Sequence, residues 1–263
     1  MKRSQNLVAT MHQQDYSLLD RLQLQTDAVV VNQCDRESVE EFDHNGNHIL
    51  WINTCERGLS KSRNMALRAA TAEICIITDD DMVYRDGYAQ MIEKAFDQHP
   101  EAALLRFEVE GIEGVFKKYS HQQGMLNFMG SMKMSSVEIS FRREAVVSKG
   151  IWFDELIGAG TQFPCGEDNA FLAACLRNKL GIYYVPQVIS GLHLGDSTWF
   201  EGNNEKIFMG RRAGFTAMNR TLSDLLILQY AVRKYKRYKD EMSFFGALKS
   251  MKKGKKLYLQ KKV

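Results

Sequence analysis

Short apolar runs alternate with longer stretches in which apolar residues recur every three or four positions, and this change of period predicts strand and helix in turn. Leu7-Val8-Ala9-Thr10-Met11 reads as a first strand, followed by a polar loop and a helix over residues 17–24. Ala28-Val29-Val30-Val31 is an unbroken run of the kind found in strands buried on both faces, and it ends in Asn32-Gln33-Cys34-Asp35. His48-Ile49-Leu50-Trp51-Ile52 predicts a third strand. A helix opens at Gly58-Leu59-Ser60, with Ser60 as the expected N-cap, and continues through residue 70 on helix-favouring alanines and leucines. Ile74-Cys75-Ile76-Ile77-Thr78 is the next strand, and residues 88–97 form the next helix, closed by His99-Pro100. The alternation implies an α/β fold, a mostly parallel central sheet with helices on both faces.

The second half is less regular. Residues 102–109 predict a strand and residues 111–135 a loop-rich segment. Val137-Glu138-Ile139-Ser140-Phe141 alternates as a half-exposed strand would. Residues 169–180 predict an amphipathic helix terminated by Gly181, and Ile182-Tyr183-Tyr184-Val185 a strand stopped by Pro186. Beyond Glu205 the pattern is helical and increasingly basic. No repeat or low-complexity linker interrupts the chain, so the expected organisation is one domain over residues 1–204 with a helical basic C-terminal extension, residues 205–263, packed on it.

A chain of 263 residues with 44% hydrophobic and 10% aromatic content is long enough and apolar enough for such a domain. Its longest apolar stretches, such as residues 225–228, are far too short to span a bilayer, and Met1-Lys2-Arg3-Ser4-Gln5-Asn6 lacks the apolar centre of a signal peptide. Five cysteines without a CxxC pair point to free thiols in a reducing, cytoplasmic location rather than to disulfides or a zinc site. The net charge of +3 hides a split: residues 233–263 carry twelve Lys or Arg against two acids, +10, so the preceding 232 residues sum to −7. An acidic body argues against a nucleic-acid enzyme.

Candidate chemistry gathers around Asp79-Asp80-Asp81, which follow the apolar run at residues 74–78. Crowded carboxylates repel unless a cation or proton separates them, and a strand end in an open α/β sheet is where ligands bind. The cluster therefore points to a hard divalent metal holding phosphate oxygens, the bland alternative being a solvated turn. Gly166-Glu167-Asp168 precedes the helix predicted at residue 169. Acids there suit the helix dipole, and Asp168 is also well placed as a general base. His193, between Gly191 and Gly195 just past a strand, can complete an oxygen-rich metal site. Arg57, Lys61 and Arg63 put cations at a helix start against the dipole, which points to a nearby anion. No GxGxxG after the first strand, no GxxxxGK[ST] and no GxSxG is present, which removes Rossmann, P-loop and nucleophile-elbow chemistry.

Gly58-Leu59-Ser60-Lys61-Ser62-Arg63-Asn64, followed by Ala72-Glu73-Ile74-Cys75-Ile76-Ile77-Thr78-Asp79-Asp80-Asp81, resembles the glycine-led helix, strand and DxD-type motif of family 2 glycosyltransferases with the GT-A fold. Arg142-Arg143-Glu144, Gly150-Ile151-Trp152-Phe153-Asp154-Glu155 and Gly166-Glu167-Asp168 resemble the acceptor-side region of that family, and the likeness spans residues 7–195. The resemblance implies inverting transfer of a sugar from a nucleotide-sugar, usually a UDP-sugar. It places Asp79, Asp80 and Arg63 at the donor, Mn²⁺ or Mg²⁺ on Asp79, Asp81 and His193, Asp168 with Glu167 at the catalytic position, and Trp152 and Phe153 toward the acceptor. Thr10-Met11-His12 and Asn32-Gln33 occupy the positions that line the base pocket in relatives, although the family usually has Pro-Thr-Tyr-Asn and Asp-Asp there. An amide can pair with a pyrimidine edge, so nucleotide binding survives that change.

Residues 221–232 are apolar enough to pack as a helix, and Arg233-Lys234-Tyr235-Lys236-Arg237-Tyr238-Lys239 continue it, with Phe244, Phe245, Leu248, Met251 and Leu257 among later lysines. Basic residues with interleaved aromatics suit an anionic membrane surface, so residues 233–263 are expected to place the protein peripherally at the inner face of the cell membrane. A saccharide or lipid-linked saccharide acceptor, in cell-surface polysaccharide or glycolipid synthesis, then follows. A non-catalytic nucleotide-sugar-binding scaffold on the same fold and a nucleotidyltransferase are the alternative readings.

Overall fold

Continuous β-branched runs become the centre of one sheet in the computed structural model, which describes residues 3–195 and 202–262. In chain order the first half forms β1 (Ser4–Met11), α1 (Ser17–Leu22), β2 (Asp27–Gln33), β3 (Ser38–His44), β4 (Asn47–Thr54), α2 (Leu59–Ala69), β5 (Ile74–Asp79), β6 (Met82–Tyr84) and α3 (Tyr88–Gln98). The second half forms β7 (Leu104–Gly111), β8 (Gly124–Met125), α4 (Phe128–Ser131), a 3-10 turn (Ser136–Glu138), β9 (Ile139–Arg142), α5 (Arg143–Val147), α6 (Glu167–Arg177), β10 (Ile182–Leu192), α7 (Glu205–Met218), α8 (Ser223–Tyr238) and α9 (Phe244–Lys261).

The described chain divides into two compact units. The first comprises residues 1–56, 61–152 and 175–196, and the second residues 57–60, 153–174 and 197–263, each over its described part. Residues 153–174 thus group with the C-terminal helices, which do not form a unit of their own.

All strands lie in the first unit, in the order β3-β4-β2-β1-β5-β9-β7-β10-β6, with β8 beside β10. Strands β4, β2, β1 and β5 run parallel, as do β7 and β10, while β9 is antiparallel between β5 and β7. The mixed α/β architecture with a parallel centre is the one the sequence predicts. Val8, Ala28, Val30, Ile74 and Ile76 pack with Leu18, Leu19 and Leu22 of α1 and Ile92 and Phe96 of α3 in one core cluster. Leu7, Val29, Val31, Cys75 and Ile77, of opposite parity, are buried as well, so these strands are covered on both faces.

Several local expectations give way to longer-range forces. The polar segment before residue 47, to which the sequence pattern assigns no element, forms β3, which pairs antiparallel with β4 through a hairpin whose Asn45 and Gly46 both have positive φ, 51° and 76°. Ser60 is not an N-cap but lies inside α2, donating its hydroxyl to the Ile157 carbonyl at 2.7 Å. Helix α6 ends at Arg177 because Lys179, at φ 60°, turns the chain and lets Leu180 N–H reach the Cys175 carbonyl at 3.0 Å, well before Gly181. Pro186 does not stop β10, which passes it with a register shift against β7 between Tyr184 and Val188, where a missing N–H is tolerated.

The largest departure is Glu138, expected on a half-exposed strand and found fully buried. Its carboxylate accepts from Arg106 Nη2 at 2.8 Å, Lys117 Nζ at 2.6 Å and the Ser135 N–H at 2.6 Å. Two cations and a backbone amide compensate for the lost hydration, so an alternation that reads as exposure is a buried ion cluster. Removing one side of such a cluster leaves uncompensated charge. Glu138→Ala is expected to cost about 3–5 kcal/mol and Glu138→Gln less, as read from denaturant or thermal unfolding midpoints. In the second unit, Gly166 has φ 101°, and a Cβ there would stand 2.8 Å from Gly214 Cα on α7. Gly166→Ala is expected to lower stability by about 1–3 kcal/mol, measured the same way.

Candidate functional site

Strands β1, β2, β4 and β5 change from apolar to polar at their C-terminal ends, and parallel register brings those ends side by side. Thr10 pairs with Asn32, Asn32 with Asn53, and Ala9 with Asp79. Loops leaving this edge of an open α/β sheet are where ligands bind. Asn32 and Asn53 are fully buried. The Asn32 amide accepts from the Gln13 N–H at 3.0 Å and donates to the Gln13 carbonyl at 3.0 Å and to Asn53 Oδ1 at 2.8 Å. With its hydrogen bonds made inside the protein, Asn32 positions the turn after β1. On that turn His12 adopts φ 57°, its N–H on the Gln33 carbonyl at 3.0 Å and its side chain exposed. A left-handed non-glycine residue held by its surroundings is a feature of ligand clamps. Met11 is half-buried beside it, and Gln33 is buried.

The three aspartates have different surroundings. Arg63, on α2 and almost fully buried, donates Nη2 to both oxygens of Asp79 at 2.9 and 3.3 Å, and Ser136 Oγ donates to Asp79 at 3.2 Å. The anion that cations at the start of α2 pointed to is therefore, for Arg63, Asp79 itself. Asp80 accepts from Thr10 Oγ1 at 2.6 Å, and burial raises its carboxyl above the ordinary range against that hydrogen bond. Asp81 is open to solvent, yet enough protein surrounds it that burial, with Asp79 and Asp80 adding, pushes it up to about 6.

Strand β6 returns from this turn to pair with the end of β10, and the His193 N–H reaches the Asp81 carbonyl at 2.9 Å. Imidazole and carboxylate so come from two adjacent chain segments. Glu113 holds His193 Nδ1 at 2.5 Å and accepts from the Leu194 N–H at 2.7 Å, which orients the ring and leaves Nε2 as the outward nitrogen. Asp81 and His193 fit a divalent cation in donor chemistry, and the raised Asp81 carboxyl is one that a cation would return to its charged form. Asp79 is held by the buried Arg63 guanidinium; among the described residues no three His, Cys, Asp or Glu side chains are grouped to hold a metal.

Asp168 and Glu167 open α6 in the second unit, both half-exposed, behind the tight approach of Gly166 to Gly214. Phe153, in the same unit, is buried and stacks on Phe171 with ring centroids 4.3 Å apart, as a packing residue does. Trp152, in the first unit, is half-buried beneath the Arg68 guanidinium at 5.1 Å. Sequence reasoning missed Asn53, Glu113 and Ser136. Only Ser136 had a local signal, the S-x-x-E spacing of Ser135 and Glu138 that marks a helical turn.

Comparison with known proteins bears on the fold and the family. No curated protein sequence matches the chain. Residues 1–349 of S. aureus TarS in complex with UDP-GlcNAc superpose with a TM-score of 0.64 at 15% identity, over 91% of this chain and 74% of that one. The UDP complex of the same fragment gives 0.62 at 15%, over 89% and 72%. The mannosyltransferase PcManGT from Pyrobaculum calidifontis, in complex with GDP-Man and Mn²⁺, gives 0.52 at 16%, over 96% and 73%. At these identities the likeness shows the fold, GT-A, as expected. The model described as Glycosyl transferase family 2 matches residues 16–149, more than half of the 263. That span includes α2, β5 and the three aspartates, and the chain belongs to glycosyl transferase family 2.

Proposed function

We propose that this glycosyltransferase moves a sugar from a UDP-linked donor to a saccharide or lipid-linked saccharide acceptor, with inversion at the anomeric carbon, in cell-surface polysaccharide or glycolipid synthesis at the cytoplasmic face. The observation that carries the donor half is the pairing of Asp81 with His193 beside a row of polar strand ends. The relatives of similar fold hold UDP-GlcNAc, UDP, or GDP-Man with Mn²⁺, which supports a nucleotide-sugar donor.

In this reading the turn bearing Met11 and His12 receives the nucleoside, Thr10 and Asp80 frame its ribose side, and Arg63 holds Asp79 in place. Asp81 and His193 would hold Mn²⁺ or Mg²⁺, which when bound offsets charge on the departing diphosphate. Asp168 is the general base. It accepts the proton of the acceptor hydroxyl while that oxygen bonds to the anomeric carbon and the bond from that carbon to the diphosphate oxygen breaks. A direct displacement needs no covalent intermediate, so the demand on the protein is alignment and charge stabilisation. Release of UDP, as opposed to pyrophosphate, separates this reading from nucleotidyl transfer, and absence of any turnover would favour the scaffold.

Two measurements test it. Ligands that bind the native state raise its unfolding midpoint, by about 2.7 kcal/mol of stability at a hundredfold excess over Kd. UDP-sugars are expected to shift the midpoint more with Mn²⁺ than without, and Asp81→Asn to remove the Mn²⁺-dependent part. No shift with any nucleotide-sugar would sink the donor assignment. Asp168→Asn is expected to lower turnover by about 10²–10⁴-fold while leaving the donor-induced shift in place, the range ordinary for a lost general base. Turnover within a few-fold of the parent would remove Asp168 from the mechanism.

A further inference from the structure

Helix α8 is apolar on two sides, and only one side is covered. Ile227, Ala231 and Tyr238 join Phe208, Ala247 and Met251 in the core cluster of the second unit. On the adjoining side Leu225, Leu228, Val232 and Tyr235 recur at i, i+3, i+7 and i+10, and all four are exposed, Leu225 at 64% and Val232 at 60%. Phe245 on the first turn of α9 is 80% exposed. A single exposed leucine is ordinary, but a row of four along roughly 15 Å of helix is a contiguous apolar patch, and such patches mark interaction sites.

Charge selects the partner. Arg233, Lys236 and Arg237 lie on the same helix, are exposed, and make no ion pair among the described residues. Burial and the nearby Arg237, Arg233 and Arg211 hold Lys234 below the ordinary lysine range, a sign of how positive this end of the helix is. Two copies of the chain meeting through the stripe would press these cations together. An anionic bilayer would neutralise them and cover the stripe at once.

Helix α9 differs, although its composition is similar. Phe244 and Leu248 pack against the core cluster and Met251 is part of it, while Lys253 pairs with Glu205 at 2.8 Å, Lys255 with Asp224 at 2.8 Å, and Lys262 with Asp154. The apolar residues expected on a membrane face in residues 233–263 are thus mostly internal. The exposed stripe begins upstream, where the sequence predicts packing.

We propose that the outer face of α8, with Phe245, docks this protein on an anionic lipid bilayer, the aliphatic stripe at the acyl boundary and Lys236 and Arg233, which flank it on one side, at the headgroups. This goes beyond the transferase reading and does not depend on it, since the test requires no turnover. Truncation at residue 233 is a poor test, because it removes Tyr238, Ala247 and Met251 from the core. The full chain is instead floated with vesicles of phosphatidylcholine alone or with about 30% phosphatidylglycerol. Binding is expected only to the mixed vesicles, weakening at high salt. Leu225→Ser with Val232→Ser should reduce partition about 10-fold or more, and Arg233→Gln with Lys236→Gln about 25-fold, at roughly fivefold per cation. An unchanged unfolding midpoint shows that the fold is intact. Unchanged partition in either double variant overturns the proposal. So does a parent that ignores vesicles yet dimerises in sedimentation through Leu225 and Val232, which assigns the stripe to a second copy.

Discussion

Three adjacent carboxylates cannot all stay ionised without compensation, and the first unit is arranged around that constraint. Each aspartate is answered from a different element: Asp79 by Arg63 of α2 and Ser136 of the 3-10 turn, Asp80 by Thr10 of β1. Among the described residues Asp81 has no such side-chain hydrogen bond, and its carboxyl, like that of Asp80, is raised by burial. A motif reading treats the first and third aspartates alike. The packing distinguishes them, because a guanidinium removed from water demands a counter-charge and takes the nearest one. Asp79 is therefore fixed by its partners, whereas Asp81 is the member that faces solvent.

The turn bearing these aspartates is held from below by buried polar contacts. Asn6 of β1 donates to Thr78 Oγ1 at 2.7 Å and accepts from the Tyr88 hydroxyl at 2.7 Å; Thr78 and Tyr84 hydroxyls meet at 2.8 Å, and the Tyr84 and Tyr88 rings stack at 4.0 Å. Such groups are costly to bury unless each finds its partner, so the network favours the one register in which β1, β5, β6 and α3 satisfy one another. Asn32, Gln13 and Asn53 do the same for the turn after β1. The ligand edge is thus fixed by polar pairing beneath it, and the apolar core supplies the platform.

What was legible in the sequence follows from the range of the forces involved. Strands β1, β2, β4 and β5 were visible because burial on both faces leaves a local, continuous signature, and DDD and GED because acids cluster in sequence as well as in space. Strand β3 was overlooked despite its Asn45-Gly46 turn, since an edge strand with one wet face has few apolar residues to show. Ser135 and Glu138 gave a local sign of a helical turn, but the tertiary contacts of Glu138, Ser136 and Glu113 were out of reach for another reason. Their partners lie 32, 57 and 80 residues away, so no window of sequence holds both halves of the interaction.

The C-terminal helices extend that argument from pairs to faces. Composition makes α8 and α9 alike, lysine-rich with scattered aromatics, and a charge count cannot say which apolar residues are covered. Period can. In α9 the large apolar residues other than Phe245 lie inward, and three of its lysines meet acids of the same unit. In α8 a second set, offset from the buried one, recurs with helical spacing toward solvent. An apolar stripe on a helix is at rest only when something covers it, so α8 is the element whose environment is incomplete. A bilayer there would also change what acceptor recognition requires: confining enzyme and lipid-linked acceptor to one surface raises their effective concentration, and a site that binds its acceptor weakly then suffices.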